Sequence, residues 1–409
     1  MKPVKQVKRS LTNIGGEVAT GGDPKEAELL ARALDVGPDE DEHRAHVHGF
    51  HTYAARMHPL TAARLAESFS KPGDVVFDPF YGSGTVLVEA MIAGRSAIGT
   101  DINPLAVQLA RAKTRPRSDD ELAALLTAAR GVAAHADARR KARAGASRRY
   151  SPEDVHLFEP HVLLELDSLR VAIRDVPEQP RADLELVLSA ILVKLSKKRG
   201  DTSEQTEGRR IGAGYPAKLF VKKTEEWTRR LHELRELLPT PTPTTKVDID
   251  DATVLATLTK KNHPRRPACI ITSPPYVATY DYVAHHALRL RWLGLDARGF
   301  ERAEMGARRR YTDLTGPDAQ AYWEDELARF FESAARVLPE GAAMVLLMAD
   351  SAVGRHALRA DDIVAAVARE HDLRPIARAS QTRPHFHSPT TAAFHDAPRR
   401  EHALLLRRA

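Results

Sequence analysis

Residues 78–101, DPFYGSGTVLVEAMIAGRSAIGTD, contain the local pattern that decides the fold of this chain. The apolar triplet Val75–Phe77 before them is typical of a short buried strand. Gly82 and Gly84 then allow a sharp turn and a close approach of a ligand to the backbone. The apolar residues that follow predict a helix over Val86–Ala93, whose N-terminus would favour a negatively charged group.

Gly94 is a suitable end for this helix, and the next residues predict a second strand over Ser96–Thr100. Asp101 stands at the end of that strand, 23 positions beyond Asp78. This is close to the spacing at which an acid reaches the hydroxyl groups of a ribose. A plain tight turn is the alternative, but strand, glycine-rich turn, helix, strand and acid together predict a Rossmann-like α/β fold that binds a nucleotide-like cofactor.

The strand pattern then stops and returns only after the proline-threonine linker at residues 239–246. Between them the sequence predicts helices alone, which we interpret as an insertion after the second strand of the sheet. The later predicted strands are Val247–Ile249, Ala268–Thr272, Ala343–Met348, Pro375–Ala379 and His402–Leu406. We therefore divide the chain into an N-terminal arm with one short helix (1–40), a cofactor-binding half (41–115), a basic helical insertion (116–245) and a catalytic half (246–409).

The composition is that of a globular protein, since the 409 residues are 43% apolar and 28% charged. One cysteine excludes a disulfide framework and a cysteine-rich zinc site, and fits a reducing cytoplasm. The apolar run Ala342–Ala349 is too short to span a bilayer, and the basic N-terminus lacks the apolar core of a signal peptide. The formal net charge of +6 and the basic cluster Arg139–Arg149 suggest a polyanionic partner.

The pentapeptide TSPPY, residues 272–276, follows an apolar stretch that ends in a predicted strand. Two consecutive prolines cannot lie inside a central strand, because they lack backbone donors. One interpretation is a strand exit with an aromatic plug. The other is a rigid shelf that holds a flat substrate able to form hydrogen bonds.

The two motifs together resemble those of the amino-methyltransferases that use S-adenosylmethionine to methylate exocyclic amines of bases in nucleic acids. The matching stretches are DPFYGSGTVLVEAMIAGRSAIGTDINPLA from Asp78, TSPPY, and the leading block HGFHTYAARMHPLTAARLAESF at residues 48–69. The resemblance covers roughly residues 45–113 and 246–350. It implies a class I methyltransferase sheet, S-adenosylmethionine as cofactor and the following cofactor-binding residues: Asp78, Phe80, Gly82, Gly84, Thr85, Asp101, Asn103 and Asp251.

The resemblance also assigns the shelf. Ser273 Oγ and the carbonyl of Pro274 would accept hydrogen bonds from the target amine, Pro275 would stiffen the turn and Tyr276 would stack on the extruded base. A serine in this position favours cytosine N4 in DNA, as in restriction-modification enzymes. Adenine N6, a base amine in transfer or ribosomal RNA, and a non-catalytic binding protein are the alternatives. Transfer to ring carbon 5 would need a cysteine on a loop, and Cys269 falls in a predicted strand.

Several further side chains have both a functional and a structural interpretation. Asp251 is preferred to Asp250 as the acid near the adenine of the cofactor, with a helix cap as the alternative. Tyr280, Asp281 and Tyr282 could line the base pocket or pack under the sheet, and Trp292 is predicted to lie in the core. No metal is expected at the histidine cluster His43, His46, His48 and His51. His385 and His387 are interpreted as loop residues, with a contact at the mouth of the pocket or with nucleic acid as the alternative.

The segment Lys194–Lys223 has nine basic and three acidic residues and contains the glycine-rich stretch GRRIGAGYP. Such a loop could approach a phosphate backbone closely, although a solvated surface loop is also consistent with it. The candidate nucleic-acid-binding residues are Lys197, Lys198, Arg199, Arg209, Arg210 and Lys218.

Overall fold

The computed structural model describes residues 15–37, 40–203, 205–258, 265–384 and 388–409. Residues 1–14 of the predicted arm, and with them most of its basic residues, lie outside the described ranges, as do His385 and His387. Within those ranges the strands are β1 (Val18–Gly22), β2 (Val75–Asp78), β3 (Ser96–Asp101), β4 (Thr245–Ile249), β5 (Cys269–Thr272), β6 (Ala343–Ala349), β7 (Ser351–Val353), β8 (His356–Leu358), β9 (Leu373–Thr382) and β10 (Arg400–Arg408).

The helices of the described ranges are α1 (Pro24–Leu34), α2 (Glu40–His43), α3 (Pro59–Phe69), α4 (Thr85–Ile92), α5 (Pro104–Thr114), α6 (Asp119–Lys141), α7 (Pro152–Leu157), α8 (Pro160–Arg174), α9 (Glu178–Leu195), α10 (Tyr215–Leu237), α11 (Tyr282–Leu293), α12 (Arg298–Ala303), α13 (Gly316–Val337), α14 (Ala360–Glu370) and α15 (Ser388–Thr391). Short 3-10 helices occur at His46–Gly49, Arg308–Arg310 and Ala392–Phe394. No helix in the described ranges is both long enough and apolar enough to cross a bilayer.

Eight strands form one sheet in the order β1-β9-β10-β6-β5-β2-β3-β4. The five strands β6, β5, β2, β3 and β4 run parallel to one another, and β10 runs antiparallel between β6 and β9. The strand order reverses between β2 and β5, which is where open α/β sheets bind their ligands. The predicted Rossmann-like α/β fold is confirmed, with TSPPY at the carboxyl end of β5.

The sheet is covered on both faces because its buried strands alternate their side chains between two cores. Phe77, Ile270 and Met344 belong to the core that contains residues of α13 and α14. Val76 and Ile271 point to the opposite core, which contains residues of α1, α3 and α4. The carboxyl ends of β2, β3 and β5 are thereby held in a rigid frame.

The predicted helical insertion is confirmed and consists of α6 to α10, between α5 and β4. Its apolar residues share a core with Leu105 and Leu109 of α5 and with Trp292 of α11. Residues 152–174 of the insertion form two helices, α7 and α8, because Pro160 lacks a backbone donor and starts α8.

The N-terminal arm has more structure than the one short helix predicted for it. Helix α1 is present, but residues 18–22 also form β1, which pairs antiparallel with β9 at the edge of the sheet. The sequence VATGG has two glycines and little apolar character, so nothing local indicated a strand. Its structure comes from a pairing partner more than 350 residues later in the chain.

Candidate active site

A cleft of about 870 Å³, including its open mouth, lies at the carboxyl ends of β2 and β3. Its lining includes the turn after β2, the residues after β3 and β4, and the segment at residues 53–57 of the leading block. Seven of the eight predicted cofactor residues line it: Asp78, Phe80, Gly82, Thr85, Asp101, Asn103 and Asp251. Gly84 does not line this cleft; it caps α4 with a φ of 83° and packs against Ala110 of α5.

Asp101 organises the turn that it faces. One carboxylate oxygen accepts a hydrogen bond from the amide of Gly82 at 2.9 Å, and the other accepts one from the amide of Asn103 at 2.8 Å. Burial raises the pKa of Asp101 to about 6, although these backbone donors act in the opposite direction. Asn103 in turn caps α5 and donates to the hydroxyl of Tyr53 at 3.0 Å. The acid, the glycine turn and the leading block therefore form one connected wall.

Asp78 links the two motifs. Its Oδ1 accepts hydrogen bonds from the hydroxyl of Thr272, the first residue of TSPPY, at 2.6 Å and from the amide of Phe80 at 3.0 Å. Burial raises the pKa of Asp78 to about 7 against the effect of both donors, and the charge of Asp101 raises it further. A change at Asp78 will consequently affect both the glycine turn and the shelf.

The acids after β4 both reach this cleft. Asp250 uses both oxygens, which accept from the amide of Asp251 and from the amide and hydroxyl of Thr257. Asp251 uses only Oδ1, which accepts from the amide and hydroxyl of Thr253 at 2.9 and 2.8 Å. The second oxygen of Asp251 accepts no hydrogen bond within the described part of the chain, which favours Asp251 over Asp250 as a ligand for an amine.

The cleft fits a nucleoside-sized cofactor such as S-adenosylmethionine. The hydroxyl oxygen of Thr85 is buried in the cleft wall without a hydrogen-bond partner in the described residues, as is that of Ser83. Gly82 has a φ of 52°, and a Cβ there would lie 3.1 Å from the ring of Tyr53, so a side chain at this position would be strained and would crowd the cleft wall. The donors and acceptors therefore suit a polar ligand at the turn, and Phe80 supplies an apolar surface.

A second cleft of about 1750 Å³, including its open part, lies beside the first. Ser273 lines both clefts, and its hydroxyl donates to the backbone carbonyl of Leu347 at 3.0 Å. With its proton directed to β6, the oxygen of Ser273 keeps lone pairs free to accept. Pro275 lines the first cleft and Pro274 is buried beneath the shelf.

Tyr276 lines the second cleft, and its phenol is anchored from below. The hydroxyl donates to Glu401 at 2.9 Å, and Glu401 forms a buried ion pair with Arg383 at 2.8 Å. Tyr280 lines the same cleft, whereas Tyr282 lines the first one. Asp281 is paired with Arg309 at 3.1 Å and belongs to the scaffold. No sequence motif indicated Glu401 or Arg383, since both act through distant partners.

The basic loop between α9 and α10 reaches the second cleft. Thr202 lines that cleft, and its neighbour Asp201 forms an ion pair with Arg289 of α11, whose side chain is buried. The candidate contact residues divide into two groups. Within the described residues, Arg210 and Lys218 are exposed, whereas the other four engage the loop or nearby residues: Lys197 with Glu159, Lys198 with the carbonyl of Asp201, Arg199 with Glu207, and Arg209 with two backbone carbonyls.

His46 and His48, two of the histidines considered as metal ligands, lie among buried charged side chains. The Nε2 atom of His48 lies 2.7 Å from Glu89, and that of His46 lies 3.6 Å from it. Lys113 nearby is also buried, and cationic side chains help to lower the pKa of His46 to about 4 after burial itself. This cationic setting opposes a divalent ion.

Two core predictions concern single side chains. Trp292 is 1% exposed, which confirms its predicted place in the core. Cys269 is buried in β5, and burial raises the pKa of its thiol to about 12. Such a thiol is a poor nucleophile, in agreement with the prediction that it takes no part in the chemistry.

Comparisons with known proteins agree with the motifs. Residues 33–112 match the DNA methylase family of N6 and N4 enzymes. The Type II methyltransferase M.MjaII of Methanocaldococcus jannaschii is 36% identical over 87 residues, which are 21% of this chain and 16% of that protein. The Type II methyltransferase M.MvaI of Kocuria varians is 40% identical over 78 residues, 18% of this chain and 17% of that protein.

The matched segments thus span less than a fifth of either relative. Among solved structures, the rRNA methyltransferase aviRa of Streptomyces viridochromogenes aligns over 92% of this chain and 96% of its own, with a TM-score of 0.36 and 12% identity. The fold assignment therefore rests on the strand order itself. Residues 33–112, which carry the glycine-rich motif, are therefore similar in sequence to the amino-methyltransferases of the DNA methylase family.

Proposed function

We propose that this protein transfers a methyl group from S-adenosylmethionine to the exocyclic amine of a base in DNA, with cytosine N4 as the target. The position of Ser273 carries the proposal. Among the four shelf residues 273–276, Ser273 alone lines both clefts, whereas Tyr276 lines only the second. A methyl group held in the first cleft and an amine held in the second would meet beside its hydroxyl.

For this reaction the protein has to position the amine and the methyl group and to supply hydrogen-bond acceptors for the amine. The lone pair of an exocyclic amine is delocalised into the ring, so the amine is a weak nucleophile. The hydroxyl of Ser273 donates a hydrogen bond to the carbonyl of Leu347, so its oxygen can accept a hydrogen bond from one N–H of the amine. The carbonyl of Pro274 can accept a hydrogen bond from the other N–H. Both contacts favour localisation of the lone pair toward the first cleft. S-adenosylmethionine, when bound, supplies the electrophilic methyl group.

The first cleft supplies the groups that would hold the cofactor. Asp101 would accept from the ribose hydroxyls, the turn at Gly82 would receive the methionine end, and the free oxygen of Asp251 would accept from the adenine amine. In the second cleft, Tyr276 would stack on a base extruded from the duplex, which costs a few kcal/mol. The exposed Arg210 and Lys218 would contact phosphates.

Transfer of labelled methyl groups to duplex DNA, single-stranded DNA and total RNA tests this proposal when the digested nucleosides are analysed by mass spectrometry. We expect N4-methylcytosine from DNA. N6-methyladenine would overturn the base assignment and retain the mechanism, whereas label in RNA alone would overturn the choice of DNA. Ser273→Ala should bind the cofactor but transfer label about 10²-fold more slowly than the wild-type protein.

A further inference from the structure

Arg399 is a buried cation in the wall of the second cleft, directly before β10. Its side chain is 6% exposed, and it lines the cleft together with Ser273 and the two aromatic residues Tyr276 and Tyr280. Within the described residues no carboxylate pairs with it. The neighbouring acids have other cations: Asp350 pairs with Arg359 at 2.9 Å and Glu401 pairs with Arg383 at 2.8 Å.

Within the described residues, one edge of this guanidinium is hydrogen-bonded and a buried donor on the other is not. Its Nε donates to the backbone carbonyl of Asp350 at 2.9 Å, which fixes the plane of the group. Its Nη1 is buried and has no hydrogen-bond partner in the described residues. A buried, unpaired cation is costly, and arginine cannot lose its proton to escape this cost. The cleft therefore lacks an acceptor that a ligand would bring.

The surroundings of Arg399 indicate which acceptor this is. Its charge acts to lower the pKa of the phenols of Tyr276 and Tyr280, although burial raises the pKa of both overall. Arg399 also lines the same cleft as these two aromatic residues, which would contact the face of a flat ring. A group next to the ring faces would meet the edge of a base, whereas the exposed basic residues of the insertion are better placed for phosphates.

Resting on the methyl transfer proposed above, we propose that Arg399 is a specificity-determining residue that recognises the Watson–Crick edge of cytosine. Cytosine presents two adjacent acceptors beside its N4 amine, the lone pair of N3 and the C2 carbonyl. The parallel N–H groups of a guanidinium match such a pair. Adenine presents N1 and then a C–H group, so it leaves one donor of Arg399 buried and unpaired. A site built for a polar group discriminates strongly against a ligand without it.

The test uses the full chain with Arg399→Met, which keeps the volume of the side chain and removes the charge. The neighbouring Arg400→Met is the matched control, because Arg400 does not line the cleft. We expect Arg399→Met to lower kcat/KM for cytosine in duplex DNA by about 10²-fold, mainly through KM. The affinity for S-adenosylmethionine should stay unchanged by calorimetry, which shows that the variant is folded. Arg400→Met should change neither quantity by more than about twofold.

A substrate analogue separates recognition of the base from a merely structural role. An oligonucleotide whose target cytosine lacks the C2 carbonyl should be a poorer substrate of the wild-type protein but no poorer than cytosine for Arg399→Met. If Arg399→Met and removal of the C2 carbonyl lower kcat/KM by independent, additive amounts, Arg399 contacts phosphate or supports the fold, and the inference is overturned. If Arg399→Met leaves the methylation of cytosine unchanged, the role of Arg399 is overturned but the proposed methyl transfer is not. Methylation of adenine by the wild-type protein would instead overturn the cytosine assignment on which it rests.

Discussion

Asp101 accepts a hydrogen bond from the backbone amide of Gly82 at 2.9 Å, so the acid that ends β3 holds the glycine turn that follows β2. The turn and the acid meet because β2 and β3 are neighbouring parallel strands whose carboxyl ends lie at one edge of the sheet. The contact gives Asp101 a second task besides any contact with a ribose. It holds the turn in the conformation that a ligand would meet.

The affinity for S-adenosylmethionine should rise with pH. Burial raises the pKa of Asp101 to about 6, and the ionised carboxylate is the better acceptor for ribose hydroxyls. We expect binding at pH 5 to be about tenfold weaker than at pH 8, as measured by calorimetry. Asp101→Asn should bind weakly throughout and show a smaller pH dependence. A wild-type affinity that is constant over this range would contradict the assignment.

Asp78 should make the stability of the protein depend on pH in a defined direction. Burial raises its pKa from 3.8 to about 7, so the group contributes stability below about pH 4 that is lost as the pH rises through about 7. Asp78→Asn keeps an acceptor for Thr272 and Phe80. The free energy of unfolding of this variant, relative to wild type, should therefore increase from pH 4 to pH 8 in urea denaturation.

The exposed Asp313→Asn should show no such increase in stability and serves as the control. A relative stability of Asp78→Asn that falls with pH would mean that the buried carboxylate is stabilised rather than penalised in the folded state.

Removal of the Ser273 hydroxyl should slow the chemical step. We expect Ser273→Ala to lower kcat by about 10²-fold, because one of the two acceptors for the target amine is lost. Single-turnover kinetics should show this loss, with the affinity for the cofactor preserved. Thr279→Val removes another hydroxyl from the second cleft and should change kcat only slightly. Equal effects of the two substitutions would argue against a special role for Ser273.

Two substitutions of Tyr276 should separate the contribution of its hydroxyl from that of its ring. Tyr276→Phe loses only the hydrogen bond to Glu401 and should lower the free energy of unfolding by about 1 kcal/mol while methyl transfer persists. Tyr276→Ala also loses the ring, which should weaken binding of the base by about 1–3 kcal/mol. Cofactor affinity should be nearly constant in both. An equal loss of cofactor and base binding in Tyr276→Ala would contradict the stacking role.

Gly99 is fixed by packing in β3 rather than by its backbone angles. A Cβ there would lie 2.5 Å from the ring of Tyr81 and 2.7 Å from Leu87, so Gly99→Ala should destabilise the protein by about 1–3 kcal/mol. Gly131 lies in α6 with open space around it, and Gly131→Ala should stabilise by about 0.5–1 kcal/mol. Thermal unfolding of both variants measures the contrast. Stabilisation by Gly99→Ala would contradict the described packing.

The part of the fold that follows from local pattern could be predicted. The strands and helices around residues 78–101 were predictable because a glycine turn, apolar runs and caps determine them within a few residues. The edge strand β1 was not, since its partner β9 is distant in sequence. The contacts of Tyr276 with Glu401 and of Asp201 with Arg289 likewise join separate segments. No spacing in the sequence indicates them.

The shared core of the insertion ties this segment to the rest of the chain. Trp227 of α10 stacks on Phe50 of the leading block with ring centroids 4.0 Å apart, and α9 packs on α5 and α11. Deleting the insertion would therefore expose apolar residues of the leading block and of α5 to solvent. Exchange of this segment between related proteins would need its contact residues on α5 and α11 to be exchanged with it. The insertion and the cofactor-binding half would therefore have to change together in any recombined chain.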